Sequence, residues 1–361
     1  RLVVTGCMAE RYGDELAEAL PEVDAVVGFA GEGAIAGVLG RPTTGVRDLL
    51  DLPRPAPRAP WAYLKVAEGC DRACAFCAIP SFRGAQRSRA PESVLAEARG
   101  LVAGGVAELV LVAQDLASYG RDVGTPGALV PLLSDLDALA ADGLIRVRLL
   151  YLYPSEVRDP LVSTMLDLDT VVPYFDLSLQ HASAPLLRRM KRWGNGEKFL
   201  AAIEGIRAQR PDATFRSSFI VGFPGETEAD HGALLGFLAD AALDWAGLFA
   251  FSPEDGTAAA DLDGTVDDAV IAERLRECSA VQDPITAAAR DALVGREVEV
   301  LVDATEGGDA IGRTHREAPE IDGTIRVADA FARPGALVTA RVVDAIGLDL
   351  VAEAVRAGVA P

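Results

Sequence analysis

Three cysteines stand within eight residues in the stretch Gly69-Cys70-Asp71-Arg72-Ala73-Cys74-Ala75-Phe76-Cys77-Ala78-Ile79-Pro80, spaced C-x3-C-x2-C. Thiolates this close on one loop can all point at a single centre, and soft sulfur ligands select iron–sulfur clusters, zinc or Cu(I). A structural zinc site takes four ligands, and no fourth Cys or His lies within thirty residues of the loop. Three thiolates on a four-iron cube leave one iron open, and an open metal position is where a small substrate binds.

Other residues suited to chemistry are more scattered. Cys7 follows the end of an apolar strand; taken alone it reads as a small buried hydrophobe. Cys278 falls inside a helical pattern and reads as packing. His181, His231 and His315 are too few and too dispersed for a histidine metal site. Gln114, Gln180 and Arg216 lie at or near the ends of apolar strands, where α/β proteins place ligand groups. Arg216 suits a carboxylate and the amides suit a ribose or amino group; polar strand ends that bond their own loops account for all three equally well. The turn Gly222-Phe223-Pro224-Gly225 either brings backbone close to a ligand or is a plain tight turn, and it lacks the Gly-Lys-Ser/Thr ending of a phosphate loop.

The elements that must position these residues follow a regular pattern. Residues 1–50 read strand–helix–strand–helix, part of an α/β unit, and open inside a strand without Met, so a missing upstream segment is expected. Four prolines in residues 51–60 form a stiff linker. From Trp61 six strands alternate with helices: 62–67, which delivers the cysteine loop, then 108–113, 146–154, 174–180, 215–221 and 245–251. Their near-continuous apolar runs suit strands buried on both faces. Six units fall short of a closed eight-unit barrel, so residues 61–292 predict a partial, barrel-like α/β core that ends in a helical connector over 266–293. Residues 293–361 change to short alternating strands near 297–302, 323–327, 337–343 and 348–351, an OB-like small β-barrel.

Composition limits the function classes. Half of the 361 residues are apolar, and no apolar run is long enough for a membrane helix. Five cysteines, mostly clustered, do not form a secreted disulfide framework; a reducing cytoplasm is expected. With 34 basic and 54 acidic residues the net charge is −20, a poor match for nucleic acid and a good one for a strongly basic partner. The 295–356 tail holds 7 basic and 12 acidic residues, a net of −5, which argues against a phosphate-binding face on its barrel.

The cysteine loop, with aromatic Phe76 before the last cysteine, resembles the signature of the radical S-adenosylmethionine (radical SAM) enzymes. The Gly6-Cys7 strand end, the loop followed by Ile79-Pro80-Ser81-Phe82-Arg83-Gly84, and a C-terminal small barrel together resemble the methylthiotransferases. These carry an N-terminal cluster domain, a radical SAM core and a TRAM domain. Further stretches resemble the branch that modifies small-subunit ribosomal protein twelve: Ala113-Gln114-Asp115, Leu152-Tyr153-Pro154, Leu179-Gln180-His181, Gly222 to Thr227 and Arg316 to Gly323.

The resemblance implies a SAM-binding 4Fe-4S cluster on Cys70, Cys74 and Cys77, with Phe76, Gln114, Gln180 and Arg216 as candidate SAM contacts. It implies an auxiliary 4Fe-4S cluster held by three N-terminal cysteines; Cys7 matches the last, and the other two are expected upstream of Arg1. Two clusters are thus expected in the full-length protein and one on this chain. The implied reaction adds a methylthio group to the β-carbon of an aspartate of the ribosomal protein, with an electron donor as a further partner. The sister branch, which modifies transfer RNA, and a non-catalytic iron–sulfur or zinc protein are the two rival readings.

Overall fold

The computed structural model describes residues 1–41, 50 and 55–355. It opens with β1 (Val3–Thr5), α1 (Cys7–Ala19), β2 (Ala25–Val27) and the short α2 (Ile35–Val38). Strands β1 and β2 pair in parallel, as a strand–helix–strand unit requires. Helix α1 begins at Cys7, so the cysteine opens the helix that follows the strand end. Residues 51–54 of the proline-rich stretch lie outside the described residues.

The core alternates strands and helices: β3 (Trp61–Lys65), β4 (Ala67–Glu68), α3 (Ile79–Arg83), β5 (Arg87–Ser88), α4 (Pro91–Ala103), β6 (Glu108–Val112), α5 (Leu129–Asp137), β7 (Arg146–Leu149), α6 (Asp159–Asp167), β8 (Tyr174–Gln180), α7 (Ala184–Arg189), α8 (Gly196–Gln209), β9 (Thr214–Val221), α9 (Glu228–Ala241) and β10 (Trp245–Ala250). Two parallel sheets, β3-β6-β7 and β8-β9-β10, are joined through single bridges at Val147–Val171 and Leu152–Leu177. The result is a curved row of six parallel strands, a partial barrel.

Local chemistry explains the helices. Pro91 opens α4, where its missing N–H costs nothing. Val94, Leu95, Ala98, Leu101 and Val102 then fall on one face and are buried. Helix α9 starts with a capping box in which Thr227 and Asp230 satisfy each other's backbone N–H. Residues facing out of the barrel, such as Leu64, Leu109, Leu111, Phe215 and Phe219, are fully buried under the helices.

The third strand is shorter than expected. It ends at Leu149, and two residues on Tyr151 takes φ 72°, left-handed backbone that breaks the extended run. Helix α10 (Asp268–Asp291) packs against α9 and β10 and leads to the C-terminal barrel. Cys278, expected to be packing, is fully buried in this helix.

The C-terminal barrel closes from β11 (Glu297–Glu306), β12 (Asp309–Arg313), β13 (Ile325–Ala328), β14 (Leu337–Ile346) and β15 (Asp349–Ala354), in the order β11-β12-β13-β15-β14. Strand β12 has no counterpart among the sequence expectations: Asp-Ala-Ile-Gly-Arg carries little β-propensity, and its place is set by pairing with β11 and β13. Gly312 is required there, because a Cβ would sit 2.2 Å from Leu301 O.

The segment between β12 and β13 leaves the small barrel and enters the larger one at the ends where its strands begin. Ala318 is fully buried against Val110, Leu150, Val172, Tyr174 and Trp245. Around it, Glu108 takes Arg148 Nε at 2.7 Å and Arg313 Nη1 at 2.8 Å. Arg146 donates to Arg313 O at 2.8 Å, and Trp245 Nε1 donates to Arg316 O at 2.8 Å. The small barrel thereby plugs the floor of the large one. Burial pushes the Glu108 carboxyl up, but Arg148, Arg313 and Arg146 outweigh it and hold it at about 2.

Candidate cluster site at the barrel mouth

The three cysteines sit on the loop between β4 and α3, tied at its base where β4 pairs with β5. Gly69 makes the sharp entry: its φ is +78°, and a Cβ would lie 2.2 Å from Ala85 O. Cys70 N donates to Gly84 O at 3.1 Å, and Asp71 Oδ1 accepts from Gln86 N at 3.0 Å. Farther along, Ala75 N donates to Met190 O at 2.9 Å and Ala75 O accepts from Ala259 N at 2.8 Å. The loop is thus clamped between the turn after α7 and the loop after β10.

Cys70, Cys74 and Cys77 line one cavity of about 380 Å³ with Arg72, Phe76, Ile79, Gln114, Tyr151, Tyr153, Ser178, Gln180 and Arg192. That volume suits a ligand the size of a nucleoside. Among the described residues, no three of His, Cys, Asp and Glu converge on one point as the ligands of a single ion do. Burial pushes the Cys70 thiol up to about 11, helped by Asp115, Cys74 and Cys77, and burial likewise raises Cys77. Iron must therefore displace protons to bind here.

Two guanidinium groups enclose the Tyr153 ring, Arg72 at 3.9 Å and Arg192 at 4.4 Å from its centroid. Arg72 is neutralised, with Asp115 at 2.6 Å and Glu156 at 3.0 Å. Arg192 donates to Cys74 Sγ at 3.2 Å and to Ser178 O, and among the described residues it has no carboxylate partner. It is thus a cation held beside a thiol.

Of the residues singled out in the sequence, Cys70, Cys74, Cys77, Phe76, Gln114 and Gln180 meet at this cavity. Gln114 lies just beyond β6, its Oε1 buried without a partner. Gln180 ends β8 with φ 73°. Arg216 is not brought here. It is the third residue of β9, about 16 Å below that strand's mouth end at roughly 3.3 Å per residue. Its Nη1 donates to Asp176 at 3.1 Å. Cys7 also lies outside the cavity lining, but on the same face: its Sγ accepts from Arg83 Nη2 at 2.7 Å, and Arg83 ends the helix after the cysteine loop. Arg72, Tyr151, Tyr153, Ser178 and Arg192 were not read from the sequence as site residues. The position of Arg72 between two cysteines was a usable signal; nothing near Arg192 in the chain marks it.

The residues present fit a cluster and SAM: three thiols on one loop, an unpartnered buried amide oxygen at Gln114 and an unneutralised guanidinium at Arg192. Residues 64–238 match the radical SAM superfamily and residues 294–355 match the TRAM domain. The chain is thus a radical SAM enzyme with a C-terminal TRAM domain. It is 44% identical to the ribosomal protein uS12 methylthiotransferase RimO of Saccharopolyspora erythraea, over 99% of this chain and 82% of that protein. It is 46% identical to the protein of the same name from Moorella thermoacetica, over 94% and 80%. The chain belongs to the RimO family of radical SAM methylthiotransferases. Among solved structures, coproporphyrinogen III oxidase (HemN) from Escherichia coli, described as a radical SAM enzyme, is similar at a TM-score of 0.48 and 15% identity, over 71% of this chain and 65% of that one; the assignment does not rest on it.

Proposed function

We propose that this enzyme adds a methylthio group to the β-carbon of an aspartate of ribosomal protein uS12. The observation that carries the reading is the meeting of Cys70, Cys74 and Cys77 with Gln114, Gln180 and Arg192 in one cavity at the barrel mouth. Cys70, Cys74 and Cys77 would hold a 4Fe-4S cluster, with SAM in the cavity beside it. Bound there, the pair supplies a radical able to take a hydrogen atom from an unactivated carbon.

The chain's own groups bind, orient and shield. Gln114 Oε1 is an acceptor for an amino or hydroxyl group, and Gln180 offers a second amide at the opposite strand end. Arg192 can meet a carboxylate. Arg72 cannot serve a ligand carboxylate without leaving Asp115 and Glu156, so it holds the Tyr153 wall. Phe76 and Ile79 keep water from the reacting atoms.

Cys7 would be one ligand of an auxiliary cluster. Its contact with Arg83 supports a second cluster facing the same mouth. An electron donor is needed as a partner. The acidic charge of the chain favours a basic protein over nucleic acid as the docking partner. Among the described residues no helix is long and apolar enough to cross a membrane, and we place the reaction in the cytoplasm. Residues 1–50, 61–292 and 293–361 are taken as the cluster, radical SAM and TRAM units, joined by the linker 51–60.

The test is an anaerobic assay of the full-length, reconstituted protein with SAM, a reductant, and either uS12 or transfer RNA, read by mass spectrometry. One methylthio group on a uS12 aspartate is expected. A methylthio group on RNA alone, or no methionine and deoxyadenosine from SAM, would overturn the reading.

A further inference from the structure

The cavity wall opposite the cysteine loop is made by a residue in a costly backbone conformation. Tyr151 has φ 72°, a left-handed region that residues with side chains rarely adopt. Three hydrogen bonds meet its backbone and the next residue's: Asp176 Oδ2 accepts from Tyr151 N at 3.1 Å, the Asp176 main-chain carbonyl accepts from Leu152 N at 2.9 Å, and Tyr151 O accepts from Leu116 N at 3.2 Å; the first is the one made by a side chain.

Asp176 is 3% exposed, and a buried carboxylate needs a cation. Among the described residues Arg216 is the one cation that touches it, Nη1 to Oδ1 at 3.1 Å. Arg216 borders a second cavity of about 440 Å³ between β10, α10 and the inserted segment, so its side chain has room to turn away. Its other side is tethered: Nε stands 3.6 Å from Asp322 Oδ1. Asp322 belongs to the segment that the C-terminal barrel inserts. It is fixed by Tyr174 OH at 2.6 Å and Ala318 N at 2.9 Å.

We propose that Asp322 is a positioning residue for the cysteine cavity, acting through Arg216 and Asp176 on the Tyr151 backbone. The C-terminal barrel thereby sets the shape of a wall it does not touch. That this wall borders SAM rests on the function proposed above; the mechanical link does not.

The experiment measures amide hydrogen exchange by mass spectrometry on the whole chain without cluster or SAM, for the parent, Asp322→Asn and Arg216→Lys. Asn keeps the size and can still accept from Ala318 N. Lys keeps the charge beside Asp176 and loses the two-sided bridge. Exchange of the segment carrying Tyr151 and Leu152 is expected to speed up several-fold in both variants, with β6 and β9 as protected as in the parent. After reconstitution the iron content should be unchanged and the Kd for SAM several-fold weaker, with kcat at saturating SAM much less affected.

Parent-like protection at Tyr151 in both variants would overturn the inference. So would faster exchange spread evenly over the barrel, which marks general destabilisation. If Asp322→Asn does not fold, Arg216→Lys decides alone. Faster exchange at Tyr151 in a protein that binds no SAM would refute the SAM reading and leave the link standing.

Discussion

Cys74 stands apart from Cys70 and Cys77 through its neighbour. Arg192 donates to its sulfur, whereas burial holds Cys70 protonated to about 11 and raises Cys77. Cluster assembly must strip protons from buried thiols, so it releases acid and proceeds further as pH rises. Reconstitution in weakly buffered solution should therefore acidify the medium, and iron incorporation should be greater at pH 8 than at pH 6. Replacing Arg192 with Met should slow incorporation and weaken SAM binding by about tenfold, about 1.4 kcal/mol, as loss of one charge-assisted contact does. Titration calorimetry on the reconstituted protein measures it.

His181 gives a second prediction at this scale. The ring is fully buried, and its Nδ1 accepts from Ser183 N at 3.0 Å, so it is neutral when folded. Burial lowers its pKa from 6.5 to about 4. Stability tied to the neutral ring is fully present above the unfolded value and lost as pH falls through the folded one. About 3 kcal/mol is at stake over that window. The drop in melting temperature between pH 7 and pH 4.5 should be smaller in His181→Gln, which cannot titrate there.

At the scale of elements, the inserted segment between β12 and β13 and the floor of the barrel share one buried ion network. Glu108 lies between Arg148 and Arg313, all three essentially without solvent. Glu108→Gln would leave the buried Arg148 without its carboxylate, while Arg313 keeps Asp303 at 2.7 Å, a loss of about 3 kcal/mol. Denaturant unfolding should show this as a lower midpoint. Undocking of the C-terminal barrel should show as exposure of Trp245, whose indole bonds Arg316 O.

Much of this level was legible in the chain. The parallel strands of the core follow from apolar runs too continuous for a sheet with a wet face. The cysteine loop was legible because its three cysteines fall within eight residues. Three things were not. Strand β12 is defined by its partners rather than its residues. The end of β7 is followed by Tyr151 in left-handed backbone, its N–H bonded to a carboxylate 25 positions away, a partner the local sequence does not reveal. Arg216 was placed near a strand's ligand end because an arginine close to an apolar run looks like a rim residue. It is the third residue of an eight-residue strand, so it faces the lumen below the rim, paired with Asp176. Arg192 reaches Cys74 across 118 positions of chain, a proximity only the closed fold creates.

For the whole molecule, three bodies meet around one lumen. The N-terminal unit touches the mouth through Arg83 at Cys7 and through Arg11 at Glu254, 2.6 Å away. The C-terminal barrel fills the floor. The chain between them carries the cysteines at the rim, so an approaching substrate meets one open end. A net charge of −20 should draw a basic protein to the molecule by long-range attraction. Raising ionic strength should accordingly raise KM for uS12 several-fold and leave KM for SAM nearly unchanged, in steady-state assays of the reconstituted enzyme.

The most direct test of the central claim is the intact mass of uS12 from ribosomes of cells that make either the parent protein or its Cys77→Ala variant. The parent should yield uS12 heavier by one methylthio group, located by fragmentation on a single aspartate, and the variant should yield the unmodified mass. Equal uS12 masses from the two cell lines would contradict the account.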